Sequence, residues 1–428
     1  MNCMVFRGEE LYPEFIDYTQ VPDRLREELA EAGITQSSMQ RVEGRDRVFS
    51  EWSSELYKSL EQVIADEWKK YSEGQLKRVV SWDLHHKQKQ GLVSVDQAVE
   101  AEVADYDDEA ATFSERKIEQ AGLSTRDALR CFEDKTRTLL FLDTIRDKIQ
   151  GGDRVLESGT GTGVLAIAAA RAGAAKVEAI EINAVTAVFA RRVVRRCEEL
   201  GLIEPGRVTI RLGDALKYRP EQDSEPFNAL IGENLYTGQF NELQVQMNDH
   251  LLRFVARRDN KIIPQGLVNG VELTEMPAEI RKKIRGRTDF VVKDLVNPAI
   301  PKSVTQPEAY DYLDLRKEQA IGVRNRVVKT IAKDGSIDTV TIFSLVQMSG
   351  KKEDLLYRNE SDFLGNDHAI VLERQLVVKK GDQIEVFISY KAGDRASQAE
   401  VRVKNLRTGE EVRNVKENVP PQMQSIAA

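Results

Sequence analysis

Cysteine and histidine are scarce in this chain, which has three cysteines and four histidines among 428 residues. Three scattered cysteines provide neither a disulfide framework nor a thiolate metal cluster. The histidines do not recur at the spacing of metal ligands, and the neighbours His85 and His86 would face different sides of a helix. We therefore predict a protein without a metal site.

Long apolar runs and an excess of basic residues are also missing. No run approaches the roughly 20 apolar residues that cross a bilayer, and the N-terminus lacks the basic-then-apolar order of a secretory signal. These absences predict a cytoplasmic protein without a membrane partner. The net charge of -8 disfavours nucleic acid as a partner, because its binding requires clustered cations. A negative chain suits a cationic substrate or partner.

By its residue pattern, the chain divides into three regions. Residues 1–124 are predicted to be helical, with an apolar stripe from Phe49 to Trp68. The acidic run from Asp96 to Glu109 is either a solvated connector or a lip that attracts the substrate, and the whole N-terminal region is a candidate substrate lid. From 125 to 270, short apolar strands alternate with helices that end at glycines, which predicts a Rossmann-like α/β fold with a parallel sheet. From 271 to 428, strands and turns predict an antiparallel β-barrel or β-sandwich.

The sharpest motif joins the first predicted strand of the middle region to the helix that follows it. Its members are Glu157, Gly159, Thr160, Gly161 and Gly163. Glycines at alternate positions let the backbone turn tightly and approach a ligand. A dinucleotide site has two residues between its second and third glycines, whereas this motif has one. The tighter spacing, with an acid two residues before the first glycine, favours a ligand made of a nucleoside and an amino acid.

Two acids follow the next two predicted strands. Glu181 ends the strand that begins at Val177, and it lies 22 residues beyond Gly159. An acid at that point can accept hydrogen bonds from both hydroxyls of a ribose. Asp214 follows the third strand, where it either binds an adenine amino group or caps the next turn. The pattern predicts a nucleoside site at the ends of these strands.

These residues resemble the class I methyltransferases, and in particular the protein arginine methyltransferases, over about residues 125 to 420. Upstream of the glycines, Asp134-Lys135-Thr136-Arg137-Thr138 is similar to the family's D-x-x-R-T helix. The resemblance implies S-adenosylmethionine as the cofactor, with Arg137 bound to its methionine carboxylate. A guanidinium suits that role, because it binds a carboxylate through two hydrogen bonds.

A pair of glutamates follows the fourth predicted strand. Glu233 and Glu242 keep the nine-residue separation of the family's paired glutamates, which implies that they are the catalytic pair. Two carboxylates around a guanidinium would orient one nitrogen and stabilise positive charge. Tyr236 stands where the family has a glycine and is predicted to contact the substrate. The family's aromatic Y-F-x-x-Y helix and its T-H-W loop have no counterpart in register, although His368 lies nearby in sequence.

Three functional hypotheses follow. The first is an N-methyltransferase that acts on a guanidino or other cationic nitrogen, in a protein or in a metabolite. The second is a small-molecule methyltransferase of another acceptor type, in which Tyr236 stacks on an aromatic acceptor. The third is a cofactor-binding partner protein without catalysis. The resemblance also implies a homodimer formed through an arm inserted in the barrel, and Arg285 to Lys329 is the candidate for this arm.

Overall fold

The computed structural model describes residues 23–31, 48–70, 123–222, 224–256, 261–292, 302–350, 355–356, 361 and 367–416. The acidic run from Asp96 to Glu109, and most of the predicted N-terminal lid, lie outside the described residues. Within the described ranges, four helices precede the first strand: α1 (Asp23–Glu31), α2 (Glu51–Lys70), α3 (Thr125–Glu133) and α4 (Lys135–Lys148).

The middle of the chain forms a parallel sheet of five strands, which confirms the predicted Rossmann-like fold. Its strands are β1 (Arg154–Ser158), β2 (Lys176–Glu181), β3 (Val208–Leu212), β4 (Ala229–Gly232) and β5 (Lys261–Ile263). The helices between them are α5 (Val164–Arg171), α6 (Ala184–Glu199) and α7 (Gln244–Leu251). The strand order is β3-β2-β1-β4-β5, so the direction of winding reverses beside β1. A reversal of this kind opens a crevice at the carboxyl ends of the strands, where α/β proteins bind ligands.

Helix starts around this crevice are set by side-chain caps. Asn183 Oδ1 accepts hydrogen bonds from the backbone N–H groups of Val185 and Thr186, which begins α6 directly after β2. Asp134 accepts from the backbone N–H of Arg137 at 3.3 Å and begins α4. Such caps satisfy amide groups that have no partner inside the helix. The cap at Asp134 thus places Arg137 in the first turn of α4.

The predicted apolar stripe of the N-terminal region lies on α2. Leu56, Leu60 and Ile64 are buried and recur at steps of four, which places them on one face of the helix. This face packs against α4 and α6. Ser50 and Ser53 add hydrogen bonds to the carboxylate of Asp143 in α4. Helix α2 therefore stabilises the parallel-sheet region by packing against its helices.

The C-terminal region forms two antiparallel sheets, as predicted. The larger sheet contains β6 (Gly266–Glu275), β7 (Asp289–Val291), β8 (Lys302–Ser303), β9 (Glu308–Asp314), β11 (Gly335–Gln347), β12 (Leu355–Leu356) and β13 (His368–Val378). The smaller sheet contains β10 (Gly322–Thr330), β14 (Gln383–Lys391), β15 (Glu400–Asn405) and β16 (Glu411–Arg413). Buried aliphatic side chains of both sheets form one core, for example Val271, Ile342 and Val386. A short helix, α8 (Ala278–Ile284), follows β6.

The stretch from Arg285 to Lys329 is the candidate for a dimerisation arm, and this assignment stays a prediction. Its described residues include β7, β8, β9 and most of β10, and each of these strands pairs with another strand of the same chain. Within the described residues, each of the four has one partner strand, on one of its two edges. Strand β6 begins at Gly266, before the predicted domain boundary at 270, and the division into three domains stays a prediction.

In the described part of the chain, no helix is long and apolar enough to cross a membrane.

Candidate active site

The three glycines of the motif form a turn between β1 and α5. Gly159, Gly161 and Gly163 all have positive φ angles, of 67°, 55° and 83°, which favour glycine over residues with a Cβ atom. The N–H groups of Gly159 and Thr160 donate to the carbonyl of Ile180 in β2, at 2.9 and 3.1 Å. A Cβ atom at position 159 would lie 2.1 Å from Oδ1 of Asn234. The turn is therefore held against β2 and closely covered by the segment that follows β4.

Glu181, at the end of β2, faces this turn. Its Oε2 accepts from the Gly161 N–H at 2.9 Å, and its Oε1 accepts from the Asn183 N–H at 2.8 Å. Burial raises the pKa of Glu181 to about 7, although these backbone hydrogen bonds oppose the rise. A carboxylate oxygen accepts two hydrogen bonds, so each oxygen retains acceptor capacity for a sugar hydroxyl.

Glu157 lies inside the same crevice and is 1% exposed. By hydrogen-bond geometry, neither of its carboxylate oxygens has a partner among the described residues, and the buried hydroxyl of Thr160 beside it has none. Desolvation raises the pKa of Glu157 well above its ordinary value; the nearby Thr160 hydroxyl opposes this rise, and the charges of Glu181 and Glu233 add to it. A buried carboxyl group without a partner is costly, so the crevice contains an unused acceptor for a cationic group. The ammonium group of an amino-acid ligand would meet this need.

Arg137 forms an ion pair with Glu233, and both side chains are buried. A second guanidinium nitrogen of Arg137 donates to the backbone carbonyl of Cys131, at the end of α3. Sequence reasoning assigned Arg137 to the cofactor and Glu233 to the acceptor. The structure brings them together, although they are 96 residues apart in the chain.

Glu242 belongs to the same electrostatic environment. Burial raises the pKa of Glu242 to about 7, and the negative charge of Glu233 contributes to this rise. The pKa of Glu233 is also raised by burial, while the charge of Arg137 opposes the shift. The charge of Glu233 thus acts on Glu242, and the assignment of the two as a catalytic pair stays a prediction.

Residues 233–242, here called the β4 loop, are tied to the larger antiparallel sheet. The Gly238 N–H donates to Ser344 Oγ at 2.9 Å, and Gln239 exchanges two side-chain hydrogen bonds with Asn269. Gln239 and Asn241 have positive φ angles of 57° and 62°. Residues other than glycine adopt this conformation at a cost, and such strain is concentrated at functional sites. These hydrogen bonds therefore hold the loop that carries both glutamates against the larger antiparallel sheet.

Tyr236 lies half-buried in the β4 loop, against the core of the two antiparallel sheets. Its ring centre is 6.0 Å from that of His368, the first residue of β13. His368 is buried, and its Nε2 is 2.7 Å from Oδ2 of Asp289 in β7. Sequence reasoning named His368 only as out of register and did not predict Asp289. Their partnership depends on the pairing of β7 with β13, which leaves no local pattern in the sequence.

Asp214 follows β3 and caps the short helical turn that comes next. Its Oδ1 accepts from the Leu216 N–H at 2.9 Å, which is the capping alternative considered for this residue. The other oxygen lies 3.8 Å from Lys217 Nζ. The adenine role of Asp214 stays a prediction.

Helix α3 covers the glycine turn. The Ala128 methyl group would lie 3.4 Å from a Cβ atom at Gly161. Thr125 hydrogen-bonds to Thr186 of α6 at 3.0 Å. Phe132 stacks on Tyr57 of α2, with ring centres 4.9 Å apart. Helix α2 of the N-terminal region therefore packs against α3, the helix that covers the glycine turn. The sequence of this region does not match the family's Y-F-x-x-Y motif.

Comparison with known proteins shows that the part of the chain around the glycine turn is similar to methyltransferases. The model of the ribosomal protein L11 methyltransferase family (PrmA) matches residues 134–198, from the cap of α4 to the end of α6. A ribosomal protein L11 methyltransferase of Exiguobacterium sp. is 42% identical over 80 residues, which are 19% of this chain and 24% of that protein. An uncharacterized protein of Methanocaldococcus jannaschii is 32% identical over 143 residues, 33% of this chain and 51% of that protein. The chain spans between a quarter and a half of the length of these relatives.

Two solved structures extend the likeness to the C-terminal sheets. In the Trypanosoma brucei PRMT1 enzyme-prozyme heterotetrameric complex with AdoHcy, the similar chain has a TM-score of 0.55 and 15% identity, and the match covers 68% of this chain and 97% of that one. Arabidopsis thaliana protein arginine methyltransferase 10, in an open conformation, has a TM-score of 0.52 and 16% identity, with 68% and 99% covered. This chain has the methyltransferase fold. The resemblance of this chain to the class I methyltransferases, and to the arginine methyltransferases in its fold, is confirmed.

Proposed function

We propose that this protein transfers a methyl group from S-adenosylmethionine to a cationic nitrogen, and that the nitrogen belongs to a guanidino group. The observation that carries the proposal is that Glu233, which pairs with Arg137, and Glu242 stand at the two ends of the loop after β4. The charge of Glu233 contributes to the raised pKa of Glu242. The match to a methyltransferase family over the glycine turn supports the cofactor. The likeness to two arginine methyltransferase structures supports the acceptor class.

The residues around the glycine turn suit each part of the cofactor. Glu181 would accept hydrogen bonds from the ribose hydroxyls, and Asp214 would take the adenine amino group. Glu157 would accept from the ammonium group, since its carboxylate is buried without a partner. Arg137 would bind the methionine carboxylate. The turn of Gly159, Thr160, Gly161 and Gly163 would let the backbone approach the cofactor closely.

A guanidinium is a poor nucleophile, because its charge is delocalised and its pKa exceeds about 12. When bound, S-adenosylmethionine supplies the methyl carbon, which leaves sulfur for the acceptor nitrogen. Glu233 and Glu242 would hold the guanidinium in one orientation and stabilise its charge during transfer. Glu242, whose pKa is raised to about 7, would take the proton that the nitrogen releases.

Methyl transfer to a panel of acceptors tests the proposal. The purified protein is given radiolabelled S-adenosylmethionine with an arginine peptide, a free guanidino compound, a lysine peptide or an aromatic alcohol. We expect label on the guanidino acceptors. Glu233→Gln and Glu242→Gln should each lower kcat/KM by about 100-fold or more, as loss of one charged contact to a transition state does. Glu225→Gln, at an exposed glutamate, is the matched control. Label that reaches only the aromatic alcohol would contradict the proposal.

A second candidate is methylation of a small aromatic acceptor. It is favoured by the half-buried Tyr236, whose ring lies in an aromatic cluster with His368 and Phe240. In that case Tyr236→Ala, and not Glu233→Gln, would remove most of the activity. The predicted homodimer stays a prediction, and sedimentation equilibrium of the purified chain checks it.

A further inference from the structure

A group of basic residues lies on helix α8 and in the three residues that follow it. Residues 278–287 contain five basic residues and one acid, so this stretch carries a charge of +4, whereas the whole chain carries -8. Four of the cations are exposed: Lys282, Lys283, Arg285 and Arg287. We call these four residues the basic turn.

The basic turn is held firmly to the larger antiparallel sheet. Ile280 and Ile284 of α8 are buried against Phe290 and Val371, which fixes the opposite face of the helix toward solvent. The fifth cation, Arg281, lies 3.7 Å from the carboxylate of Asp338. Within the described residues, no member of the basic turn has an acidic side chain as a partner.

Helix stability accounts for only part of this arrangement. Cations in the last turn of a helix interact favourably with the helix dipole, which explains Lys282 and Lys283 and extends to Arg285, the C-cap residue. Arg287 lies two residues farther along the chain and is not explained in this way. Four neighbouring exposed cations that have no acidic partner among the described residues also repel one another, so their clustering lowers stability unless an anion binds.

Two side-chain contacts connect the segment after the basic turn with the β4 loop. Arg287 is followed by Thr288 and then by Asp289, which begins β7 and bonds to His368. The His368 ring in turn faces Tyr236 in the β4 loop. A substrate whose nitrogen lies between Glu233 and Glu242 would thus have an anion-binding surface beside it.

We propose that the basic turn binds an acidic segment of a protein substrate, close in the substrate to the nitrogen that is methylated. Charge complementarity selects the partner, since all four residues of the basic turn are exposed cations and Glu279 is the one acid within residues 278–287. A protein segment fits better than a nucleic acid. No exposed aromatic side chain stands among the four cations to stack on a base, and the net charge of the chain repels a long phosphate backbone. The position beside the acceptor rests on the proposed function.

Binding is measured first, without any methyl transfer. A fluorescent peptide of aspartate, glutamate, serine and glycine, without arginine or lysine, is titrated with the full chain at low and at physiological salt. We expect saturable binding that weakens as salt rises. Lys282→Glu/Lys283→Glu/Arg285→Glu should weaken it by about tenfold or more, as reversal of several complementary charges does. The corresponding triple glutamine variant, which removes charge without reversing it, should show a smaller loss.

A matched control lies at the far end of β13. Lys333, Lys379 and Lys380 are exposed there. Along β13, the partner strand β11 advances seven residues, from Ile342 opposite His368 to Gly335 opposite Val378, which is about 23 Å at 3.3 Å per residue. Lys333→Glu/Lys379→Glu/Lys380→Glu changes the net charge equally and should leave peptide binding nearly unchanged. Equal losses in the two triple variants would mean a general charge effect and would overturn the proposal. Tighter binding of a single-stranded RNA of equal charge would also overturn it.

Methyl transfer then separates the two proposals. With an arginine peptide that carries an acidic tail, we expect a lower KM than with a neutral tail, and this advantage should disappear in the basic-turn variants while kcat is kept. Free arginine should not distinguish the variants. If no cationic nitrogen is methylated but the acidic peptide still binds to the basic turn, the proposed function fails and the docking surface stands. If arginine is methylated without any effect of the tail, the docking proposal fails alone.

Discussion

Arg137 and Glu233 form an ion pair with exposed side-chain fractions of 7% and 13%. Arg137 lies in the first turn of α4, and Glu233 directly follows β4, so the pair spans the crevice beside β1. A buried pair of this kind loses its hydration, and removal of one partner leaves an uncompensated charge. It also connects the residue proposed for the cofactor carboxylate with a residue proposed for the acceptor.

The first prediction concerns competition for Arg137. The cofactor carboxylate and Glu233 both need the same guanidinium, so Glu233→Gln should leave the affinity for S-adenosylhomocysteine unchanged or raise it. Arg137→Ala should weaken binding by about 10- to 100-fold, the loss expected for hydrogen bonds between charged groups. Isothermal titration calorimetry measures both. Equal weakening by the two substitutions would show that Arg137 and Glu233 act only as a structural pair.

The second prediction concerns the pH dependence of cofactor binding. Because burial raises the pKa of Glu181 to about 7, its carboxyl group is mostly protonated at pH 6. Ribose hydroxyls donate to the charged form, so affinity for S-adenosylhomocysteine should rise with pH, by up to about tenfold per unit below pH 7, and level off above it. Calorimetry between pH 5.5 and 8 checks this. Glu181→Gln should flatten the profile, whereas Glu242→Gln should not.

The raised pKa of Glu181 strengthens cofactor binding as the pH rises, but it lowers the stability of the folded protein over the same pH range. The folded chain holds the Glu181 proton more tightly than the unfolded chain does, whose glutamates have the ordinary value of 4.5. The contribution of Glu181 is therefore present below pH 4.5 and is lost as the pH rises through about 7. Bound cofactor should oppose this loss, which thermal unfolding with and without ligand would detect.

The third prediction separates stability from function at Glu157. Its buried carboxyl group has no hydrogen-bond partner among the described residues, so Glu157→Gln should raise the melting temperature of the ligand-free protein at pH 8. The same substitution should weaken binding of S-adenosylhomocysteine by about tenfold, because an amide interacts less strongly with an ammonium group. Differential scanning fluorimetry and calorimetry provide the two measurements. A lower melting temperature together with unchanged affinity would rule out this role.

The fourth prediction uses two glycines with nearly equal backbone angles. Gly159 has a φ of 67° and Gly201 has a φ of 68°, but a Cβ atom at Gly159 would collide with Asn234, whereas nothing lies within 4 Å of one at Gly201. Gly201→Ala should cost only the conformational strain of about 1–2 kcal/mol. Gly159→Ala should cost more and should also abolish cofactor binding, because Asn234 must move and lose the hydrogen bonds that its Nδ2 donates to the carbonyl and hydroxyl oxygens of Ser158. Urea unfolding of both variants gives the comparison, and similar losses would contradict it.

Part of this site could be predicted because its signals are local. The alternate glycines and the acid at the end of β2 each act over a few residues, so their spacing alone indicates a turn and an acceptor. The change from helical periodicity to short strands likewise predicted both kinds of sheet. The capping role of Asp214 was one of two predicted alternatives.

The amino-acid sequence by itself determined the kind of fold and the place of the cofactor turn, because hydrophobic periodicity and glycine spacing act along the chain. Only the tertiary structure decided that Arg137 forms an ion pair with Glu233 and that His368 forms a hydrogen bond with Asp289. It also decided that the basic turn is connected to the β4 loop through Asp289 and His368. These relationships join residues that lie far apart in sequence, and they depend on strand order and packing. Residue spacing contains no record of such contacts, since the burial that creates them exists only after the sheets and helices have assembled.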